Sequence, residues 1–233
     1  MSKGKTVARF GLLTAMTIVL SLIDRAIPVS ALLGGSIPGM KLGLANTVLL
    51  FAVYMINWKG AVLLALVKVL LSGFLYGSLS AILYSLSGSA LSLSVMLAVR
   101  KKPDLGAAVT GLAALIACDI LLIQNPSPRG ERLLFTVLIA VAGFVSLLLA
   151  VLIHKGVIRG VSGTSIASAV AHNVGQVLTA ALILQTPRLL LYYLPVLAGV
   201  GVGMGCLTGI VADRTFIALR MIPILKQPEK EKV

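Results

Sequence analysis

Polar side chains inside apolar segments are the residues of this sequence that could do chemistry. Lys68 stands within a run of leucines and valines, and His172, Asn173 and Gln176 fall together in another apolar run. Charged and amide side chains are costly inside a bilayer, so they favour a functional interpretation. Because they supply hydrogen-bond donors, acceptors and one positive charge, they predict recognition of a small anionic or polar molecule.

These polar residues are predicted to lie at similar depth. At 1.5 Å per residue, Lys68 lies roughly 12 Å, His172 roughly 14 Å and Asn46 roughly 16 Å from the inner ends of their helices. A common pocket near mid-membrane would account for them. The residues predicted to bind the substrate are Pro38, Gly39, Lys41, Asn46, Lys68, Ser85, Gly88, Ser92, His172, Asn173 and Gln176.

Residues 38–46 are expected to form the mouth of this pocket. Pro38 lacks an N–H group and Gly39 tolerates positive φ, so the backbone is predicted to turn sharply here. A helix beginning near Lys41 would aim free backbone N–H groups at whatever the turn encloses. The alternative is an ordinary interhelical loop with a snorkelling lysine.

The individual polar residues also have purely structural interpretations. A lone histidine in a helix is more often a hydrogen-bonded packing residue than a ligand. Serine and asparagine commonly bond across membrane helices at about 0.6 kcal/mol each. Asp119 lies nearer the outer end of its segment, where it could pair with Arg129 or Arg132 or face water.

The composition predicts the elements that must position these residues. Of 233 residues, 58% are hydrophobic and only 12% charged, whereas soluble domains carry about 25% charged residues. This predicts an all-α, polytopic membrane helix bundle in one domain, residues 1–222, followed by a charged tail, residues 223–233. The eight predicted segments are residues 7–23, 42–57, 60–80, 82–99, 105–123, 133–153, 163–184 and 189–211, of which the second is short.

Basic residues predict the orientation of the bundle. If the N-terminus is cytoplasmic, fourteen lysines and arginines fall on the inner side and five on the outer side, with Lys68 inside a helix. The positive-inside rule then places both termini in the cytoplasm and residues 38–46 outside. Because the basic residues lie at the ends of apolar runs, this rule explains the net charge of +13 better than a nucleic-acid partner.

The sequence supplies little for enzyme chemistry. It has seven acidic residues, and no aspartate-rich cluster of the kind that holds Mg²⁺ on a prenyl diphosphate. No P-loop is present, and His172 has no Cys, Asp or second His at metal-ligand spacing. We therefore predict no catalytic residue, no metal site and no cofactor.

Small residues at four-residue spacing predict close helix packing. Three rows are expected inside the bundle: Gly163, Ala167, Ala171 and Gly175; Gly201, Gly205 and Gly209; and Gly73 with Gly77. A fourth row, Gly11, Ala15 and Val19, could pack inside the bundle or against a partner protein.

Three motifs together resemble a known family. They are the run from Pro38 to Asn46 (PGMKLGLAN), the run from Tyr84 to Gly88 (YSLSG), and the run from Ala171 to Gln176 (AHNVGQ). They resemble the Gx transporter family, whose members are often labelled heptaprenyl diphosphate synthase component I. That family is similar to the substrate-binding S components of energy-coupling factor (ECF) transporters.

The resemblance implies a six-helix core that captures a small molecule from outside. It also implies that the first helix, through Gly11, Ala15 and Val19, docks a transmembrane coupling subunit that works with ATPases in the bacterial cytoplasmic membrane. Two features depart from the pattern. Arginine is usual where Lys68 stands, and lysine keeps the charge but loses the bidentate fork. Residues 103–160 insert two further helices.

The combined expectation is a membrane-embedded substrate-capture subunit of an uptake transporter, with a vitamin-, quinone- or isoprenoid-related substrate. The alternative is a non-catalytic membrane component associated with heptaprenyl diphosphate synthase. A third possibility is a scaffold without a ligand, although a scaffold would not need so many intramembrane polar groups.

Overall fold

The computed structural model describes residues 3–27, 44–76, 79–124, 130–156, 161–186 and 188–221. Eight α-helices account for nearly all of these residues, in agreement with the predicted all-α class. They are α1 (Lys3–Ala26), α2 (Asn46–Met55), α3 (Trp58–Tyr76), α4 (Leu79–Val99), α5 (Pro103–Gln124), α6 (Gly130–His154), α7 (Val161–Ile183) and α8 (Arg188–Met221).

Four of these helices are long and apolar enough to cross a membrane: Thr6–Asp24, Leu79–Val99, Val161–Ile183 and Val196–Ala218. The chain is therefore a multi-pass membrane protein. The predicted span 42–57 needs correction, because α2 begins only at Asn46 and has 10 residues. A helix of that length rises about 15 Å, half the thickness of a hydrocarbon core.

The helices alternate in direction, so one end of the bundle collects their basic termini. At this basic end the Tyr54 hydroxyl lies 3.0 Å from the Thr164 hydroxyl, which joins the end of α2 to the start of α7. His154 Nδ1 at the end of α6 lies 3.1 Å from Asp104 at the start of α5, and this hydrogen bond lowers the pKa of the exposed Asp104 carboxyl. The described basic side chains there are Arg9, Lys59, Arg100, Lys101, Lys102, Lys155 and Arg214.

Helix α7 lies at the centre of the bundle and is buried over most of its length. Two of the predicted small-residue rows pack around it. A Cβ atom on Gly205 would lie 2.5 Å from the Cα of Ile166, and one on Gly209 would lie 2.8 Å from the Cα of Ser162. The row on α8 therefore brings the two helix backbones together, as predicted.

The row on α7 divides between two neighbours. Near the basic end, a Cβ on Gly163 would meet the backbone of Pro103 at the start of α5. About three turns further, a Cβ on Gly175 would lie 2.7 Å from the carbonyl oxygen of Ser87 on α4. Gly77, from the third predicted row, lies outside the described residues.

Helices α5 and α6, the predicted insertion, pack closely on each other. A Cβ on Gly111 would lie 2.9 Å from the carbonyl oxygen of Gly143, so no larger residue fits at this crossing. Nearby, the Thr110 and Ser146 hydroxyls lie 3.2 Å apart, and Ser146 donates to the Ala107 carbonyl at 2.8 Å. The crossing glycines and these hydroxyls bind the two helices to each other.

Helix α1 buries polar side chains and exposes apolar ones, the opposite of a helix on the surface of a water-soluble protein. Its buried positions include Arg9, Thr17, Ser21 and Asp24, and leucine, isoleucine and valine side chains cover its outward face. An apolar outward face is what a helix needs in contact with lipid. Around Gly11 no side chain of the described residues lies within contact distance of an added Cβ, and Val19 is 55% exposed. The fourth small-residue row therefore does not pack inside the described part of the bundle.

A candidate ligand-binding site

Lys68 and Asn46 form the first contact of the candidate site. Both are buried, with 3% and 5% of their surfaces exposed. The Lys68 ammonium, from the middle of α3, donates a hydrogen bond to Asn46 Oδ1 at the first turn of α2. The two predicted site residues therefore meet in the interior of the bundle.

This contact fixes the orientation of the Asn46 amide. An ammonium group can only donate, so the amide oxygen must face Lys68 and the amide nitrogen must point elsewhere. Within the described part of the chain, Asn46 Nδ2 has no hydrogen-bond partner. Asn46 Nδ2 therefore carries two buried N–H groups with no acceptor among the described residues.

A polar stripe runs along one face of α7. Its members are Ser165, Ser168, His172 and Gln176, all buried, and their spacing of three and four residues places them on one face. Gln176 Nε2 lies 2.7 Å from His172 Nε2. In this arrangement the amide donates to the imidazole nitrogen, so the ring proton belongs on Nδ1. The stripe runs for about 16 Å along the helix axis.

Helix α4 closes against this stripe at Gly88. A Cβ there would lie 2.6 Å from the His172 ring and 3.1 Å from Gln176 Cγ, so only glycine leaves room for both side chains. The Ser87 hydroxyl lies 3.1 Å from the Gly175 carbonyl oxygen on α7 and 3.0 Å from the Leu83 carbonyl oxygen on its own helix. The same helix buries Ser85, Ser89 and Ser92.

Asn173 joins α7 to α8 rather than to the stripe. Its Nδ2 donates to the Leu197 carbonyl at 2.7 Å, and Gly201 provides the space for this contact. Since a carbonyl can only accept, Asn173 Oδ1 is left as a buried acceptor with no partner among the described residues. The Asn173 amide nitrogen, which was predicted to bind a ligand, is thus used to join two helices.

A small cleft lies between α2, α7 and α8. Its enclosed part has room for about one water molecule, and the rest is open to the outside. Its lining residues are Leu44, Asn46, Thr47, Ser165, Ser168, Ala169, Met204 and Thr208. Residues 28–43, which connect α1 to this cleft along the chain, lie outside the described residues.

The predicted site residues therefore fall into two groups. Asn46 lines the cleft and Lys68 contacts Asn46 from α3. His172, Gln176 and Gly88 meet one turn further along α7. Ser168 links the groups, because it lines the cleft and lies one helical turn, about 6 Å, from His172. Ser85 and Ser92 lie on the buried face of α4. Pro38, Gly39 and Lys41 lie outside the described residues, as do the side chains of Asp119, Arg129 and Arg132.

Several buried polar atoms of the interior could form hydrogen bonds that the described residues do not supply. Buried polar atoms are normally satisfied, because an unmet group costs about 1–3 kcal/mol. Besides Asn46 and Asn173, the buried atoms Ser89 Oγ, Ser92 Oγ and Gln176 Oε1 have no partner in the described part of the chain. A polar ligand or ordered water would satisfy them.

Thr47 and Thr208 are lining residues that the sequence did not single out. Thr208 belongs to an α8 stretch in which the glycine row was the visible signal. Its hydroxyl lies 2.9 Å from that of Ser165. A threonine in a membrane helix ordinarily bonds back to its own helix, so only the tertiary contact distinguishes this one.

Comparison with known families agrees with the three sequence motifs. The family model described as heptaprenyl diphosphate synthase component I matches residues 13–125 and 127–215. No curated protein and no solved structure matches the chain. The family match covers α2, α3, α4 and α7, which carry the paired lysine and asparagine, the Gly88 crossing and the polar stripe. The chain thus belongs to the heptaprenyl diphosphate synthase component I family.

Proposed function

We propose that this protein is the membrane subunit that binds and captures a small polar molecule for uptake, in the manner of an ECF S component. The observation that carries this proposal is the buried Lys68–Asn46 contact beside a cleft, continuous with the polar stripe of α7. Buried charged and amide groups on α2, α3 and α7 are costly to a membrane bundle, so a role in ligand binding accounts for their presence.

Lys68 supports an anionic or polar-headed substrate. A buried ammonium contributes a positive potential that low-dielectric surroundings screen poorly. The substrate classes we consider are vitamin-, quinone- and isoprenoid-related compounds taken up across the bacterial cytoplasmic membrane. The side chains of the site would bind and orient the molecule without any catalytic step.

Uptake can be tested without knowing the substrate. Cells lacking the native gene would express the wild-type protein or Lys68→Met, and the spent medium would be compared by mass spectrometry. We expect at least one small polar compound to be depleted by the wild type and not by the variant. Lys59→Met, which removes an exposed lysine at the basic end, is the matched control. Identical media from wild type and Lys68→Met would contradict the proposal.

The outward face of α1 is our candidate docking surface for a coupling subunit. Gly11, Ala15 and Val19 leave a shallow, apolar strip that no described helix covers. We predict that Ala15→Trp abolishes co-purification of a coupling subunit and uptake without changing the melting temperature. The matched control is Leu148→Trp on the exposed face of α6. If Ala15→Trp retains both properties, α1 contacts only lipid and the protein works alone.

A second candidate function follows from the family description. As a non-catalytic membrane component, the chain would associate with a heptaprenyl diphosphate synthase and present an isoprenoid-related molecule to it. Affinity purification from cells that contain the catalytic subunit separates the two functions. Recovery of that subunit, together with unchanged medium composition, would favour the second function.

A further inference from the structure

The turn between α4 and α5, which we call the basic turn, consists of three exposed basic residues: Arg100, Lys101 and Lys102. The Lys102 backbone N–H donates to the Val99 carbonyl at 2.9 Å, which keeps the turn tight. The next acidic residue along the chain, Asp104, already lies 3.1 Å from His154. The basic turn therefore concentrates positive charge at the basic end of the bundle.

A groove extends from the basic turn, because α4 and α5 diverge beyond it. At the turn the two helices are close, since a Cβ on Gly106 would lie 3.3 Å from Val99 and from Ala167 of α7. Further along, α4 packs on α3 and α7 whereas α5 packs on α6 and α7, and in the described part of the chain α4 and α5 share few contacts. The groove between them has α7 at its base and opens outward.

The exposed side chains beside this groove suit contact with hydrocarbon. On α4, Ala90, Ser94 and Ala98 share one exposed face at four-residue spacing. The Ser94 hydroxyl donates to the Ala90 carbonyl at 2.8 Å, so its proton is already used within the helix. On α5, Leu105 and Val109 are 54% and 57% exposed. Small residues on one helix and larger apolar residues on the other leave space for an acyl chain.

We infer that the basic turn and the groove bind an anionic phospholipid of the leaflet at the basic end. Its phosphate group would contact the side chains of the basic turn, and one acyl chain would lie in the groove. A free phosphate or an acidic protein segment would match the charge but leave the apolar groove unfilled. A molecule with a charged head and a hydrocarbon tail therefore fits this surface better. The inference is independent of the proposed function, because the surface lies outside the polar interior.

Lipid retention by the full-length protein tests the inference. Nanodiscs would contain phosphatidylglycerol and phosphatidylcholine with the same acyl chains in equal amounts, and native mass spectrometry would compare the two lipids that remain on the released protein. We expect the wild type to retain phosphatidylglycerol preferentially. Each basic residue near an anionic surface contributes about fivefold in affinity, so Lys101→Gln combined with Lys102→Gln should reduce this preference about fivefold to 25-fold.

Gln185→Glu combined with Thr186→Glu is the matched control. It lowers the net charge by the same amount at the exposed turn after α7, at the opposite end of the bundle, and should keep the wild-type preference. Ser94→Trp fills the groove and leaves the basic turn intact, so it should also reduce retention of phosphatidylglycerol. Leu148→Trp, on the exposed face of α6, should not. The melting temperature of each variant checks its folding.

Four outcomes would overturn the inference. They are equal retention of both lipids by the wild type, an unchanged preference in the variant of the basic turn, an equal loss in the matched control, and unchanged retention of phosphatidylglycerol in Ser94→Trp. Should Ser94→Trp fail to fold, the two charge variants decide. None of these results bears on the medium-depletion experiment, which tests the proposed function separately.

Discussion

Among single residues, Lys68 matters most because it holds Asn46 in place. We predict that Lys68→Met lowers retention of the bound molecule, because Asn46 loses the partner that orients it. The melting temperature should stay the same or rise, since a buried charge with a cost of about 2.5–3.5 kcal/mol is removed. Thermal unfolding and mass spectrometry of the released ligand measure the two effects. A large fall in melting temperature with full retention would identify a structural contact instead.

Gln176 gives a second prediction at this scale. Gln176→Leu removes the hydrogen bond to His172 and the amide oxygen that has no partner among the described residues. If the stripe contacts the ligand, binding should weaken about fivefold to hundredfold. Leu178→Ala changes an exposed side chain of the same helix and should leave binding unaltered. Equal binding by both variants would restrict the site to the cleft.

At the scale of helices, the close crossing of α4 and α7 holds the stripe in place. Gly175→Ala would press a methyl group against the Ser87 and Gly88 backbone, which cannot move without separating the helices. Overpacking of this kind costs about 1–3 kcal/mol, so the melting temperature should fall. Gly203→Ala on α8 points into open space and serves as the control. Equal melting temperatures for the two variants would rule out the tight crossing.

Much of the arrangement of the helices could be predicted from the sequence. Apolar length located the eight helices of the described residues, and glycine spacing located the α7–α8 contact, because both signals are local and periodic. The Gly111–Gly143 crossing was missed, since each glycine stands alone in its helix and only the fold pairs them. Periodicity likewise could not show that α2 starts at Asn46 or that α8 continues to Met221. In the last turns of α8, the ring centroid of Phe216 lies 4.9 Å from that of Phe51 on α2.

For the candidate site too, local sequence patterns showed the residues but not their contacts. Lys68, Asn46, His172 and Gln176 were visible because amides, charges and imidazoles are rare in apolar runs. Their pairing was not visible, and neither was the role of Gly88 as the space for two side chains. Asn173 was predicted to bind a ligand directly, a role that stays a prediction, and its bond to Leu197 depends on a neighbouring helix.

At the scale of the whole molecule, the basic end is predicted to face the cytoplasm. The alternating helices gather seven described lysines and arginines there, and the positive-inside rule assigns that end inward. Single cysteines in place of Lys101 and Ser127 would be treated with a membrane-impermeant maleimide in intact cells. We expect labelling at position 127 only. Labelling at position 101 alone would invert the topology.

We expect the polar interior of this bundle to hold a small molecule. Native mass spectrometry of the protein released from lipid nanodiscs would detect it. The wild type should give a species with one added small-molecule mass, which Asn46→Asp and Gln176→Leu should lose. Asn57→Asp, which makes the same change as the first variant at an exposed position, should retain it. A wild-type protein that carries no such mass, or an Asn46→Asp protein that retains it fully, would contradict this expectation.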